Sequence, residues 1–149
     1  MTTDVEELSG IEMSRDEIDR FLSSHGHGVL SLARDGRSYS GPVSFGFDGD
    51  RLYLYLIRFG EESEKLSFVE STEEAALLCF DVESRFEWRS VLARGPISPI
   101  PDADRDRMEA VMDQNAWMPS LFPGSEPMTG VEWMELRFAS VTGRKAESR

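Results

Sequence analysis

GVLSLARDGRSYSGPVSFGFDGDRLYLYLI, residues 28–57, holds three extended runs separated by two tight-turn signals. Gly28–Arg34 runs into Asp35-Gly36, a pair that favours the type I′ turn of a two-residue hairpin. Ser38–Asp48 alternates Val43, Phe45 and Phe47 on one side with Ser44 and Gly46 on the other, the period of a strand. Asp48-Gly49-Asp50 then leads into Arg51–Ile57, where Leu52, Leu54 and Leu56 oppose Tyr53, Tyr55 and Ile57. Three strands joined by turns leave no room for the crossover helices that a parallel sheet requires. The stretch predicts an antiparallel meander.

The flanking residues extend that pattern. Ser14-Arg15-Asp16-Glu17 is a capping box that opens a helix carrying Ile18, Phe21 and Leu22 on one face, ending near Ser24. Glu61–Ser71 reads as a short helix with Leu66 and Val69 on one side, and Glu74–Val82 as a strand buried on both faces. Phe86–Ile100 is a long strand bent at Gly95-Pro96, and Asp102–Gln114 carries Met108, Val111 and Met112 at helical spacing. Pro119–Gly130 is a Pro/Gly-rich loop, and Val131–Thr142 is the last strand. Strands at intervals of about ten residues, with three helices, predict a mainly β fold: a small β-barrel with flanking helices.

The 149 residues suit one domain, 1–149, with an acidic N-terminal segment (1–13) and a frayed end (146–149). Neither a membrane-length apolar run nor a signal-peptide pattern occurs, so a cytoplasmic protein is expected. Cys79 lies in the apolar run Ala75–Phe80 and reads as a core thiol. The net charge of −12 repels phosphate backbones and argues against nucleic acid as a partner. Fourteen arginines accompany only two lysines, Lys65 and Lys145. Acid-rich, lysine-poor composition resembles that of halophilic archaea, where about 1 M salt shortens the Debye length to about 3 Å and screens self-repulsion.

Several motifs in order resemble a known family. Tyr39-Ser40-Gly41-Pro42-Val43-Ser44-Phe45-Gly46-Phe47-Asp48, Leu52-Tyr53-Leu54-Tyr55, then Gly60 and Ser63-Glu64-Lys65-Leu66 are similar to the pyridoxamine 5′-phosphate oxidase-like flavin-binding split barrels. Phe86-Glu87-Trp88-Arg89-Ser90-Val91, Gly95 and Val141-Thr142-Gly143-Arg144-Lys145 extend the resemblance from about Ile11 to Lys145. It implies a six-stranded antiparallel split barrel and a homodimer with FMN at the subunit interface. The extra basic residues by which the longer oxidases hold a substrate phosphate have no matching set here, so vitamin B6 oxidation itself is not expected.

The resemblance also implies the candidate site. Ser63 and Lys65 would hold the phosphate at the start of the Glu61–Ser71 helix, with Arg58 as a second cation. Glu64 departs from the basic residue that relatives often carry between them. Pro42, Val43 and Ser44 would line the flavin ring, with Pro42 leaving its strand unable to donate. Trp88, Ser90 and Val91 of the other subunit would cover it. Tyr55 stands where several relatives have histidine.

No catalytic acid or base and no metal site is identified. His25 and His27 read as loop or capping residues, and Asp102, Asp104 and Asp106 as helix N-terminal charge. The expected activity is flavin-mediated hydride or electron transfer to a small-molecule substrate. The alternatives are a deazaflavin-dependent reductase on the same fold, or a non-catalytic flavin- or haem-binding protein.

The charge balance makes a first prediction. Dialysis from concentrated potassium chloride to low salt removes the screening and should abolish the far-ultraviolet circular dichroism of the folded chain. Unchanged spectra and melting temperature at low salt would refute the halophilic reading.

Overall fold

In a computed structural model, which describes residues 10–59, 64–115 and 128–147, the chain opens with a two-residue strand, β1 (Ile11–Glu12), and helix α1 (Arg15–His25). The capping box forms as predicted: Glu17 N–H donates to Ser14 Oγ, and Ser14 N–H donates to Glu17 Oε1, each at 3.2 Å. The α1 face carrying Ile18, Phe21 and Leu22 is buried. Lys145 donates to the same Glu17 carboxylate, so the cap of α1 is also tied to the last strand of the fold.

The meander of residues 28–57 forms β2 (His27–Arg34), β3 (Arg37–Phe47) and β4 (Arg51–Phe59). Asp35 and Gly36 both have positive φ, 49° and 76°, as the type I′ turn between β2 and β3 demands. Helix α2 (Glu64–Ser71) follows, then β5 (Ala75–Ser84), β6 (Glu87–Gly95) and the short β7 (Ile97–Pro99). A single 3-10 turn (Asp102–Asp104) leads into α3 (Arg105–Asn115), and β8 (Met128–Arg137) and β9 (Ser140–Ala146) complete the described chain.

The ladders among the described residues are all antiparallel, in the order β1-β9-β6-β5-β2-β3-β4-β8-β7. The described residues thus form nine strands, two of them very short, in a split-barrel sheet that does not close into a continuous ring. The six strands expected undercount it, because two predicted strands each break in two and the two-residue β1 adds a ninth. The bend at Gly95-Pro96 separates β6 from β7, as the sequence predicts. The last strand was expected to run unbroken over Val131–Thr142, but it breaks between Arg137 and Ser140.

The two breaks face each other and have one cause. Arg137 N–H donates to Pro96 O at 3.2 Å and Ala139 N–H to Arg94 O at 2.8 Å, so both strands turn the same corner together. A Cβ on Gly95 would drive into the carbonyl oxygen of Arg137, a backbone atom that cannot step aside. Only glycine fits the corner.

Two apolar clusters lie on opposite sides of the sheet. The larger fills the barrel with Leu30, Leu32, Val43, Phe45, Leu52, Leu54, Leu56, Leu77, Val91 and their neighbours. The smaller lies outside it, where Met108, Val111 and Met112 of α3 cover Tyr53, with Tyr55 and Trp133 alongside. This explains why both sides of β4 are apolar.

Ion pairs fasten α3 and its 3-10 turn. Arg51 Nη1 donates to Asp104 Oδ2 at 3.1 Å and to Glu135 Oε2 at 2.9 Å, and Arg107 Nη2 donates to Asp48 Oδ1 at 2.7 Å. Tyr53 Oη donates to Asp48 Oδ2 at 2.6 Å. Glu135 is only 3% exposed, and a carboxylate so placed is tolerated because guanidinium groups satisfy it.

Asp48 makes this network sensitive to acid. Hydrogen bonds from Arg107 above all, and from Tyr53, hold its carboxyl at about 2 against an ordinary 3.8. A lowered folded-state value contributes stability above about pH 4, which is lost as pH falls through 4 towards 2. The melting temperature should therefore drop across that window. Asp48→Asn should melt lower near neutrality and show a shallower acid limb. Superimposable pH profiles for the two proteins would refute the role.

Candidate functional site

The candidate site begins where β3 leaves β4. β3 pairs with β2 from Arg37 to Ser44, but with β4 only at Phe45↔Leu54, Gly46↔Tyr53 and Phe47↔Leu52. β4 meanwhile remains paired with β8 along its whole length, from Arg51 to Phe59. The two strands therefore diverge towards Pro42, and a groove opens between them.

Backbone polar groups point alternately to the two edges of a strand. Phe45 N–H donates to Gly26 O on the β2 side at 2.9 Å, so the edge positions of Ser44 and Pro42 belong to the groove side. Pro42, which has no N–H, removes one donor from that edge.

Side-chain parity sorts the predicted ring-lining residues. Pro42 and Ser44 point out of the barrel, whereas Val43 is 8% exposed and packs in the main core. Ser44, expected to line the flavin ring from the face opposite Val43 and Phe45, is 5% exposed, and its Oγ donates to Gly26 O at 3.3 Å. Next to it, a Cβ on Gly46 would stand 3.0 Å from Met112 Sδ, because α3 covers this side of β3.

Tyr55 faces the same outer side and meets Trp133 edge-on, with ring centroids 5.2 Å apart. Burial pushes its phenol above the ordinary value, so it is a neutral hydrogen-bonding group near neutral pH. His27 also points outwards, directly across from Ser44. Sequence reading treats it as a loop residue, although the alternation His27, Val29, Ser31 against Gly28, Leu30, Leu32 was available to place it. His25 behaves as the expected end-of-helix group, its ring tilted 30° against that of Phe21 with Nδ1 2.8 Å from Phe21 O.

The predicted phosphate ligands lie at the far end of β4 and beyond. Arg58 is paired with Gly130 just before a register shift, and Lys65 stands in the first turn of α2. Their side chains, and all of Ser63, lie outside the described residues.

The third group sits on β6. Trp88 and Ser90 point outwards and are half-buried, while Val91 is fully buried in the core. Any contact of Val43 or Val91 with a ligand therefore runs through backbone. Three strand spacings of about 4.8 Å separate β3 from β6, and four residues of about 3.4 Å lie between Leu92, in line with Pro42, and Trp88. Trp88 and Pro42 of one chain are thus too far apart to touch the same ring.

What joins them is a continuous outer surface. Cross-strand pairing puts Pro42, Val29, Leu78 and Leu92 in one row, Phe80 beside Ser90, and Val82 beside Trp88. β5 was expected to be buried on both faces, but Phe80 and Val82 are 52% and 61% exposed. Trp88 also lines a cavity of about 150 Å³ together with Asp81, Glu83, Glu87, Arg89 and Glu147, whose four carboxylates make it an unfavourable place for an anion. Cys79, on the inner side of β5, is buried, which pushes its thiol up to about 12 and leaves it unreactive.

Comparison with known proteins bears on the family and the fold. A family model for pyridoxamine 5′-phosphate oxidase matches residues 14–145. An uncharacterised protein of Rhizobium meliloti (strain 1021) is 26% identical over 89 residues, 60% of this chain and 56% of the relative, so the match spans little more than half of that protein. Among solved structures, an FAD-binding protein of Mesorhizobium loti superposes with a TM-score of 0.73 at 19% identity, covering 93% of this chain and 97% of the other. An FAD- and haem-binding protein of Mycobacterium smegmatis gives 0.68 at 21% identity, over 91% and 72%. At these identities the structural likeness establishes the split-barrel fold. No helix among the described residues is long and apolar enough to cross a membrane.

Proposed function

Because this chain belongs to the pyridoxamine 5′-phosphate oxidase family, we propose that it is a homodimeric flavin-binding oxidoreductase, with FMN held between its subunits. The observation that carries the reading is the outer surface of β3, β2, β5 and β6. In a chain of net charge −12, the positions Val29, Pro42, Leu78, Phe80, Val82, Trp88, Ser90 and Leu92 form a stripe without a single charge. A stripe of that kind marks an interaction surface. A two-fold contact across it brings Trp88 and Ser90 of one subunit towards Pro42 and Ser44 of the other, which no single chain achieves.

The residues present suit a flavin. Pro42 opens one strand edge, Ser44 and Tyr55 offer polar groups beside it, and the partner's Trp88 supplies an apolar cover. Arg58, Ser63 and Lys65 are assigned to the phosphate, with the first turn of α2 adding partial positive charge. A bound flavin supplies reversible hydride or electron uptake. The chain's own part is to orient the ring, exclude water from one face and leave the other open to a small-molecule substrate. The FAD-binding relatives make FAD the first competitor to FMN, with deazaflavin and haem next.

The test is a visible spectrum of the purified protein in concentrated salt, then titration with FMN, FAD, deazaflavin and haem. A flavin band, or saturable uptake of FMN in preference to the others, is expected. Lys65→Ala should weaken FMN binding roughly 10- to 150-fold, the loss of a charge-assisted contact of about 1.5–3 kcal/mol. Unchanged affinity in the folded variant would remove that assignment. Val82→Glu should convert the dimer to a monomer in sedimentation and weaken the flavin with it. A dimer that survives this charge would place the interface elsewhere.

A further inference from the structure

Helix α1 carries a polar stripe beside its buried one. Glu17, Arg20, Phe21 and Ser24 recur at i, i+3, i+4 and i+7 and so share one side of the helix. Across from them stand Arg89, near the start of β6, and Glu147, just past the end of β9, and between the two walls lies a cleft of about 400 Å³. That volume falls within the range of small-molecule sites, roughly 300–1,000 Å³. Phe21 and Met13, otherwise buried in the main core, form its apolar floor. Arg89 alternates with Trp88 and Ser90, so the cleft lies on the opposite side of β6 from the uncharged stripe and stands apart from the flavin assignment.

The charges around this cleft are unevenly matched. Lys145 donates to the Glu17 carboxylate and lies 3.2 Å from that of Glu147, so one ammonium serves both acids. The hydrogen bond from Lys145 above all holds the Glu17 carboxyl at about 2, so it stays ionised and stays matched to that cation. Arg89 meets Glu147 only at 3.8 Å, the outer limit of an ion pair. Arg20 is exposed and forms no hydrogen bond or ion pair among the described residues, whereas Arg15, on another side of α1, is held by Asp19 at 2.7 Å. Three cations, Arg20, Arg89 and Lys145, thus meet two carboxylates, in a chain whose net charge is −12. Beyond Arg89 the balance turns again, because Asp81, Glu83 and Glu87 line the adjoining cavity.

We propose that this cleft binds a small monocarboxylate with a short apolar body, its carboxylate held between Arg20 and Arg89. The planar guanidinium fork matches the two oxygens of a carboxylate, and the resulting charge-assisted bonds are the strong ones. Phe21 and Met13 receive the apolar body. One unmatched positive charge suits one negative charge. A dicarboxylate or a phosphate dianion brings a second charge that no cation meets, next to the three acids behind Arg89, so the same geometry selects against it. A ligand seated here ties α1 to the ends of β6 and β9 and so stabilises the folded chain.

The experiment titrates benzoate into the full chain by calorimetry at one fixed potassium chloride concentration, with succinate and inorganic phosphate as dianionic comparisons. Benzoate should bind at one saturable site per chain with a Kd on the order of 1 mM or tighter, and the two dianions at least about tenfold more weakly. Arg20→Gln and Arg89→Gln should each weaken benzoate roughly tenfold or more, and Arg15→Gln should leave it within about twofold. All three side chains are exposed, so the substitutions spare the core, and circular dichroism checks that the variants fold. Benzoate should also raise the melting temperature of the wild type and leave that of Arg20→Gln where it stands. Absence of saturable benzoate uptake, unchanged affinity in Arg20→Gln or Arg89→Gln, an equal loss in Arg15→Gln, or phosphate bound as tightly as benzoate would each overturn the assignment.

Discussion

The exchange of partners along β3 is the constraint on which the rest of the structure depends. β3 stays with β2 up to Ser44, and takes up β4 only from Phe45 to Phe47. Twisted strands of unequal pairing cannot stay parallel to both neighbours, so the sheet opens on one side of β3 and must be held together elsewhere. It is held at the opposite corner, where β6 passes into β7 and β8 into β9 around Gly95-Pro96 and Ala139. The groove beside Pro42 and the corner at Gly95 are two consequences of one geometry.

An acidic chain needs its few cations in the right places. Arg51 sits among Asp48, Asp104 and Glu135, and Arg107 reaches Asp48 from α3. Lys145 joins Glu17 of α1 to Glu147 in the last described residues. These contacts fasten α1 and α3 to the sheet, and the partly buried ones are screened by salt far less than surface pairs. The outer stripe from Pro42 to Trp88 differs in kind. It carries no charge for an ion to screen, and its apolar area becomes more costly to expose as salting-out ions are added. High salt therefore weakens self-repulsion and strengthens the drive to cover this surface at the same time.

Much of the fold was legible because it rests on local chemistry. The capping box of α1, the Asp35-Gly36 turn, the inward leucines of β4 and the methionines of α3 are each decided within a few residues. The placement of the proposed ring-lining residues was legible only in part. Parity confirms that Pro42 and Ser44 share a side, yet Ser44 proves buried because α3 covers its neighbour Gly46, and nothing near Ser44 in the chain foretells that. The break at Arg137–Ser140 escaped for a similar reason: its cause, Gly95-Pro96, lies about forty residues earlier. Val91 alternates into the core while Trp88 and Ser90 face outwards, a distinction that depends on which face of β6 meets the barrel.

The sequence by itself determined most of the strand and helix segments, where the tight turns fall, that the sheet is antiparallel, and which family the chain belongs to. All of these follow from side-chain period, turn stereochemistry and short motifs. The tertiary structure alone decided that Tyr53 and Tyr55 face a second apolar cluster, that Arg20 and Arg89 line one cleft, and that Phe80 and Val82 are left uncovered. Those outcomes depend on which distant element arrives at a given face or edge. Hydrophobic attraction is non-directional, so an apolar run records that it must be covered and carries no record of what covers it.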